Sequence, residues 1–362
     1  MGNKTFILLN YILKFSVFMN HKHYMQLALD LAKKGFGHVA PNPMVGCVIV
    51  HNEIIVAKGY HQVFGGPHAE VNAINNLPVE IDPAECMLYV SLEPCSHFGK
   101  TPPCADLIIK KGFKRVIVCN LDPNPLVAGK GIEKLKEAGI EVNSGVSEQE
   151  GRELNKRFFT FFEKKRPYYI LKWAQTADGF ISRLPLPENR EENKITGLEV
   201  QKLVHQMRTE EMGIMVGKNT VLADNPKLTN RLAKGKNPVR MFIDKDLDVP
   251  QTFNIYDDQA KTIVFNSQKD EERDTIQFIK LNFELNVLEQ ISDKLLELKI
   301  QSVLVEGGLR LLNDFIQQNL FDEIFVFENP KLKFGAGLKA PQLNLVGNFV
   351  VIGEDKLYRF FG

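Results

Sequence analysis

His68-Ala69-Glu70, then a strand-like Met87-Leu88-Tyr89-Val90, then Pro94-Cys95-Ser96-His97-Phe98-Gly99-Lys100-Thr101-Pro102-Pro103-Cys104: this stretch decides how the chain reads. One imidazole and two thiolates suit Zn²⁺, and three protein ligands leave the fourth position open for water, as in a catalytic site. Glu70 follows the histidine by two residues. A carboxylate there can pass protons between that water and a departing amine without binding the metal itself. Together the four residues point to hydrolytic deamination. A structural zinc site would want a fourth protein ligand, and only His97 is placed for it, within a loop rather than at a helix end. The usual form of the pattern, H-x-E with P-C-x-x-C, has two residues between the cysteines. Here there are eight.

Working outward, Met25, Leu27, Ala28, Leu31 and Ala32 recur at helical spacing before Gly35 and Gly37. Pro41-Asn42-Pro43 opens a strand at 45–50, and His51-Asn52-Glu53 turns it into a second at 54–60. His68 opens a helix whose apolar side is Ala69, Val71, Ala73 and Ile74. A strand at 87–92 leads to Cys95, and a further helix starts near Cys104. Helix N-termini favour negative charge, so a cysteine placed there titrates to thiolate more readily. Strands at 115–119 and 140–142 flank a helix at 132–138, and a long helix is expected over 150–162. Strands alternating with helices imply an α/β layered fold.

Length and composition bound the rest. A chain of 362 residues suggests two domains. We place the boundary at Lys164-Lys165-Arg166-Pro167, giving 20–165 and 166–362. Net charge of +1 argues against a sequence-independent nucleic-acid binder. Five cysteines, an odd and sparse set, fit a reducing cytoplasm better than a disulfide framework. Residues 1–19 read as a disordered or added leader, with Met19 as an alternative start. Their apolar run, Phe6 to Phe18, is too short to span a membrane. In the second half strands fall at 168–174, 212–217, 239–243, 262–265, 302–305, 323–327 and 356–360. Thr196-Gly197-Leu198-Glu199 reads as a capping box before an amphipathic helix. Glu306-Gly307-Gly308 joins a strand to a helix at 309–317, a turn that would let a pyrophosphate approach the helix N-terminus.

The string Cys95 to Cys104, with Pro41-Asn42-Pro43-Met44-Val45-Gly46, Asp122-Pro123-Asn124-Pro125 and Gly129-Lys130-Gly131, closely resembles the deaminase half of the bifunctional RibD family of riboflavin biosynthesis. In that family the long cysteine spacing is normal. The second half resembles its reductase domain through Leu171-Lys172, Ala174, Asp178-Gly179, Val216-Gly217, the run Thr220 to Arg231, and Val305-Glu306-Gly307-Gly308. The resemblance implies a cytidine-deaminase-like three-layer α/β/α domain followed by a dihydrofolate-reductase-like α/β domain. It implies one catalytic Zn²⁺ on His68, Cys95 and Cys104, with Glu70 as the proton donor and acceptor, and NADPH in the second half. Asn42, His61 and Lys100 would contact the deaminase substrate. Ala174, Thr220, Asp224, Gly308, Leu309 and Arg310 would contact the cofactor, and Arg208, Leu228, Arg231 and Glu306 the reductase substrate. Read without the resemblance, Lys100 is a solvated lysine, His61 a strand-end histidine, and Arg208 a helix C-terminal cation complementing the dipole.

The implied chemistry is deamination of a diaminopyrimidinone bearing a ribosylamine phosphate, then reduction of its ribosyl chain by NADPH. The expected partner is that small molecule, with no nucleic acid and no membrane, in a homo-oligomer. This chain departs from the family pattern at Glu191-Glu192-Asn193-Lys194-Ile195-Thr196-Gly197, where Lys194 replaces a tryptophan and Glu192 a serine, and again at Lys245. These departures leave the detailed cofactor contacts, and whether the reductase is weakened, open at this point. Three rivals stand beside the main reading. One is a zinc deaminase of another nucleotide or base with a degenerate C-terminal domain. Another is a zinc-stabilised binding module. The third pairs a working deaminase with a regulatory, non-reducing second half.

Overall fold

Near-continuous apolar runs such as Met87-Leu88-Tyr89-Val90 are buried on both faces only where helices cover both sides of a sheet, and the computed structural model has this architecture. It describes residues 21–96, 102–125, 127–343 and 348–362, the side chain of Arg190 excepted. The leader and Lys100 lie outside the described residues. The chain divides into two units between Lys164 and Lys165.

In the first unit, helix α1 (21–32) precedes strands β1 (Gly46–His51) and β2 (Ile54–Tyr60). Asn52 and Glu53, both with positive φ, make the hairpin turn. Helix α2 (Ala69–Asn75), β3 (Met87–Leu92), α3 (Cys104–Lys111), β4 (Arg115–Asn120), α4 (Lys130–Glu137) and β5 (Glu141–Ser144) follow. The sheet order is β2-β1-β3-β4-β5. β1 pairs antiparallel with β2 and β3, whereas β3, β4 and β5 run parallel. Helices α2, α3 and α4 cover one face through Ala69, Ala73, Ile74, Ala105, Ile108, Ile132 and Leu135. The opposite face packs Met25, Ala28 and Leu29 of α1 against Val48, Val50, Tyr89 and Ile117. These are three layers.

The helix expected over 150–162 is two helices, α5 (Glu148–Leu154) and α6 (Lys156–Glu163). Asn155 breaks them because its side chain is engaged elsewhere. Its Oδ1 accepts from Met44 N at 2.8 Å and its Nδ2 donates to Met44 O at 2.9 Å, both buried. This pair ties the helices to the turn that carries Asn42. Replacing Asn155 by Leu leaves both Met44 groups buried without partners. We expect the first unit to lose about 2–4 kcal/mol, read from its urea unfolding midpoint with zinc present. A loss below about 0.5 kcal/mol would show that the turn finds other partners.

The second unit begins with β6 (Tyr168–Thr176) and β7 (Phe180–Ser182), then α7 (Leu198–Glu210), β8 (Gly213–Gly217), α8 (Lys218–Asp224), β9 (Val239–Ile243), β10 (Thr262–Asn266), β11 (Glu271–Arg273) and β12 (Ile276–Lys280). It continues with α9 (Val287–Glu297), β13 (Ser302–Val305), α10 (Leu309–Gln317), β14 (Glu323–Asn329), β15 (Leu338–Lys339), β16 (Phe349–Ile352) and β17 (Asp355–Phe361). Ten strands form one sheet in the order β11-β12-β10-β9-β8-β13-β6-β14-β17-β16. From β12 through β14 it is parallel, and β11, β17 and β16 add antiparallel edges. α9 and α10 pack on one face with Tyr169, Leu171 and Val303. α7 and α8 lie on the other, through Val200, Val204 and Val221.

The capping box at Thr196 does not form. The N-cap of α7 is Gly197, which has no side chain to offer. Asp355, at the start of β17, supplies the acceptor instead, taking Gly197 N at 2.8 Å.

Candidate active sites

In a sheet with parallel strands, loops after the strand carboxyl ends converge on one edge, and ligands bind there. In the first unit β3 runs into Glu93-Pro94-Cys95, while α2 and α3 begin at the same place. His68 is the N-cap residue of α2 and Cys104 the first residue of α3. His68 Nδ1 lies 3.5 Å from Cys95 Sγ and 3.3 Å from Cys104 Sγ, and the three donor atoms all fall within 4.8 Å of one another. Bonds of about 2.0–2.3 Å to a tetrahedral centre put ligand atoms roughly 3.3–3.8 Å apart, so these residues fit zinc. Among the described residues this is the one such grouping of His, Cys, Asp and Glu.

The electrostatics agree with a metal site. Hydrogen bonding from Cys104, foremost, and from His68 brings the Cys95 thiol down to about 4. The Cys104 thiol is pushed up, first by its hydrogen bond to Cys95 and then by burial. One sulfur is therefore ready to carry charge, and a cation would draw the second proton off. Glu70, 3% exposed, points into the same site. Burial foremost, then the charge on Cys95, raises its carboxyl to about 7. Near neutral pH such a group can both take and release a proton.

Asn42 and His61 meet beside these ligands. His61 Nδ1 faces Pro67 O at 3.0 Å, and a carbonyl can only accept, so Nδ1 carries the proton. Nε2 is then the acceptor for Asn42 Nδ2 at 3.1 Å. The His61 ring stacks edge-on to that of His68, with centroids 5.5 Å apart. Burial lowers the pKa of His61, which favours this neutral form.

Two acidic residues of this edge carried no role in the sequence reading. Glu93 is buried, and its carboxylate takes four backbone N–H groups: Asp122 at 3.2 Å, Gly129 at 2.9 Å, Gly131 at 2.8 Å and Ile132 at 3.2 Å. Asp122, just past β4, is buried near Cys95, and burial foremost lifts its carboxyl to about 6. The available signal was position, since each acid follows the end of a parallel strand.

In the second unit β6, β8 and β13 deliver their carboxyl ends together. Glu306 follows β13, and its carboxylate receives Arg208 Nε and Nη2, both at 2.8 Å, with Lys172 Nζ at 3.7 Å. Burial would raise this carboxyl, but the two cations outweigh it and hold it at about 2. Arg208 also donates Nη1 to Thr229 O at 3.1 Å, so its guanidinium is committed to protein partners. Arg231 is exposed, its backbone N–H held by His205 Nδ1 at 2.9 Å. Leu228 is buried with φ of 51°.

Gly307 and Gly308 turn the chain from β13 into α10 with φ of 134° and 81°, and no side chain caps that helix. A Cβ on Gly308 would stand 3.4 Å from Thr220 Oγ1, which places Thr220 against the turn. The free N–H groups of Leu309 and Arg310 suit a phosphate. Ala174 is half-buried in β6, and Asp224, at the last position of α8, is exposed. The divergent loop is anchored by Asn193, whose side chain bonds Arg183 N at 2.8 Å and Ser182 Oγ at 3.1 Å, and by buried Ile195. Glu191, Glu192 and Lys194 are exposed.

Comparison with known proteins gives the two halves separate matches. Residues 19–120 match the cytidine and deoxycytidylate deaminase zinc-binding region, and residues 167–345 the RibD C-terminal domain. The riboflavin biosynthesis protein RibD of Aquifex aeolicus is 45% identical over 332 residues, 90% of each chain. That of Escherichia coli is 35% identical over 334 residues, 87% of this chain and 89% of its own. A solved structure from Thermotoga maritima, described as a diaminohydroxyphosphoribosylaminopyrimidine deaminase/5-amino-6-(5-phosphoribosylamino)uracil reductase, has a TM-score of 0.83 at 38% identity, covering 94% of this chain and 98% of its own. Acinetobacter baumannii RibD gives 0.84 at 30%, over 95% and 99%. With both domain types in their order and relatives matched along nearly their whole length, the chain belongs to the RibD family.

Proposed function

We propose that the two sites carry out the two RibD activities in succession, with the residues divided as follows. The first unit deaminates 2,5-diamino-6-(5-phosphoribosylamino)pyrimidin-4(3H)-one, and the second reduces the ribosyl chain to give 5-amino-6-(5-phosphoribitylamino)uracil. The observation that carries this reading is the convergence of His68, Cys95 and Cys104 beside buried Glu70.

His68, Cys95 and Cys104 hold the metal, which when bound supplies a water acidic enough to react at neutral pH. Glu70 takes a proton from the attacking water and delivers one to the amine as ammonia leaves. Asn42 and His61 form one wall of the substrate site, oriented by Pro67 O. Lys100 is assigned to the substrate phosphate, as a compact point charge.

In the second unit the start of α10 (Gly308, Leu309, Arg310), with Thr220, Ala174 and Asp224, binds NADPH, which supplies the hydride. Exposed Arg231 takes the substrate phosphate, and Leu228 lines the site. Arg208 and Glu306 meet the substrate as a pair, the arginine holding the carboxylate through Nε and Nη2. The exposed Glu191, Glu192 and Lys194 alter the rim of the cofactor site, and we assign the reductase as active. The substrate is a small molecule. We place the enzyme in the cytoplasm as a homo-oligomer, acting on neither nucleic acid nor membrane. Its five cysteines are unpaired, and among the described residues no helix is long and apolar enough to cross a membrane.

The test follows ammonia and NADPH oxidation separately with the diaminopyrimidinone phosphate. Chelating zinc should abolish ammonia release, while oxidation of NADPH by independently supplied deaminated substrate continues. Ammonia release that survives complete removal of zinc would sink the metal assignment. Absence of NADPH oxidation with the deaminated substrate would favour a regulatory second half.

A further inference from the structure

We infer that Glu93 is the positioning residue of the deaminase site, setting residues 122–125 and 127–132 in register with the metal-ligand turn at Cys95. This rests on the deaminase assignment above.

Glu93 leaves β3 two residues before Cys95, and its own N–H donates to Asn120 O at 2.9 Å, locking the ends of β3 and β4 together. From that fixed point the carboxylate reaches across the site edge. Oε2 accepts Asp122 N and Gly129 N, and Oε1 accepts Gly131 N and Ile132 N. Four N–H donors from both ends of one loop thus end on a single buried side chain. The start of α4, where backbone N–H groups would otherwise invite an external anion, is filled by a carboxylate of the chain itself. The substrate phosphate must therefore be met elsewhere.

A second contact fixes the spacing. Gly131 lies so close to the ligand turn that a Cβ there would come within 2.0 Å of Pro94 O. α4 is thereby held directly against Pro94, the residue before Cys95. What the loop carries toward the site is Asp122, whose Oδ1 accepts Asn124 N at 2.8 Å. Glu93 touches neither the ligand atoms nor Glu70 by hydrogen bond, so its action is indirect: it sets where Asp122 and Asn124 stand relative to the metal.

Only an acceptor on both oxygens satisfies this arrangement. In Glu93→Gln one acceptor oxygen becomes an NH₂ facing two N–H donors, so one half of the loop is released while the shape is kept. Glu93→Asp keeps both acceptors on a shorter arm. Gly131→Ala disturbs the same join from the opposite side without touching the carboxylate.

The experiment measures steady-state ammonia release, bound zinc per chain and NADPH oxidation for wild type and the three variants. For Glu93→Gln we expect KM for the diaminopyrimidinone phosphate to rise about tenfold. We expect kcat to stay within about threefold, zinc to remain at one per chain, and reductase activity to be unchanged. Glu93→Asp should recover part of the KM, and Gly131→Ala should reproduce the rise. An unchanged KM in Glu93→Gln overturns the inference. So does loss of zinc in that variant, or a fall in kcat alone, since either would make Glu93 a scaffold for the metal or for Glu70. A wild-type chain that releases no ammonia would instead overturn the deaminase assignment on which the inference rests.

Discussion

Glu70→Gln should lower ammonia release by about 10³-fold, within the usual range for removing a general acid–base, while zinc binding and NADPH oxidation stay at wild-type levels. The amide has the size and shape of the carboxylate but cannot exchange the proton. Burial has raised the carboxyl to about 7, against an ordinary value near 4.3. It is thus balanced between its two forms near neutral pH, whereas the amide cannot take or give up that proton. Following ammonia and bound metal on the same preparation separates lost chemistry from lost zinc. A variant that retains a tenth of the wild-type rate would refute the assigned role and favour a zinc-stabilised binding module.

Removing the Glu306 carboxylate should have the second largest effect, and in the other activity. Glu306→Ala leaves Arg208 and Lys172 facing each other in a site where Glu306 exposes 7% of its side chain. Deleting one partner of a buried pair costs about 3–5 kcal/mol, because the other charge remains. Displacing groups around a hydride acceptor by about 1 Å can cost about 10²-fold in rate. The expected outcome is a second unit less stable by that amount, NADPH oxidation down about 10²-fold on deaminated substrate, and unchanged ammonia release. NADPH oxidation within threefold of wild type would show that the carboxylate is not needed near the substrate.

The pH dependence of the same group has a definite sign. Its folded-state value, about 2, lies below its ordinary one, so its stabilising contribution is complete above about pH 4.3 and fades as pH falls toward 2. Acid unfolding of this unit that sets in above about pH 4.3 must therefore begin elsewhere.

Much of the architecture could be read from periodicity. Strands β2, β3, β9 and β13 and helix α10 run as the residue pattern indicates, because each is a single uninterrupted apolar or amphipathic run. α9 escaped notice although Leu288, Ile291 and Leu295 recur at helical spacing and Asn286 caps it through Leu288 N at 3.2 Å. The break at Asn155 and the failed capping box at Thr196 have one cause. In each case the deciding partner, Met44 or Asp355, lies more than a hundred residues away, and no local window contains it. The metal cluster was legible because its three donors have few other common uses in that order. Glu93 and Asp122 were not, since a carboxylate that binds backbone N–H groups has no sequence pattern of its own. The commitment of Arg208 to Glu306 was hidden for the same reason.

Both sites hang from residues just beyond the carboxyl ends of parallel strands, while the strands send their side chains into the two helical layers. Val90 and Val118 are wholly enclosed, yet the chemistry begins a few residues later, at Glu93 and Asp122. Durability and reactivity are therefore written in separate parts of the chain. Repacking the interior can raise or lower the melting temperature without retuning the reaction. Substrate preference can drift through the connecting segments while the framework beneath them is inherited unchanged. The divergent segment 191–194 is an instance: its charged side chains are exposed, and its hold on the framework passes through the Asn193 side chain, the bond from Arg183 Nε to Glu192 O at 3.3 Å, and neighbouring Ile195.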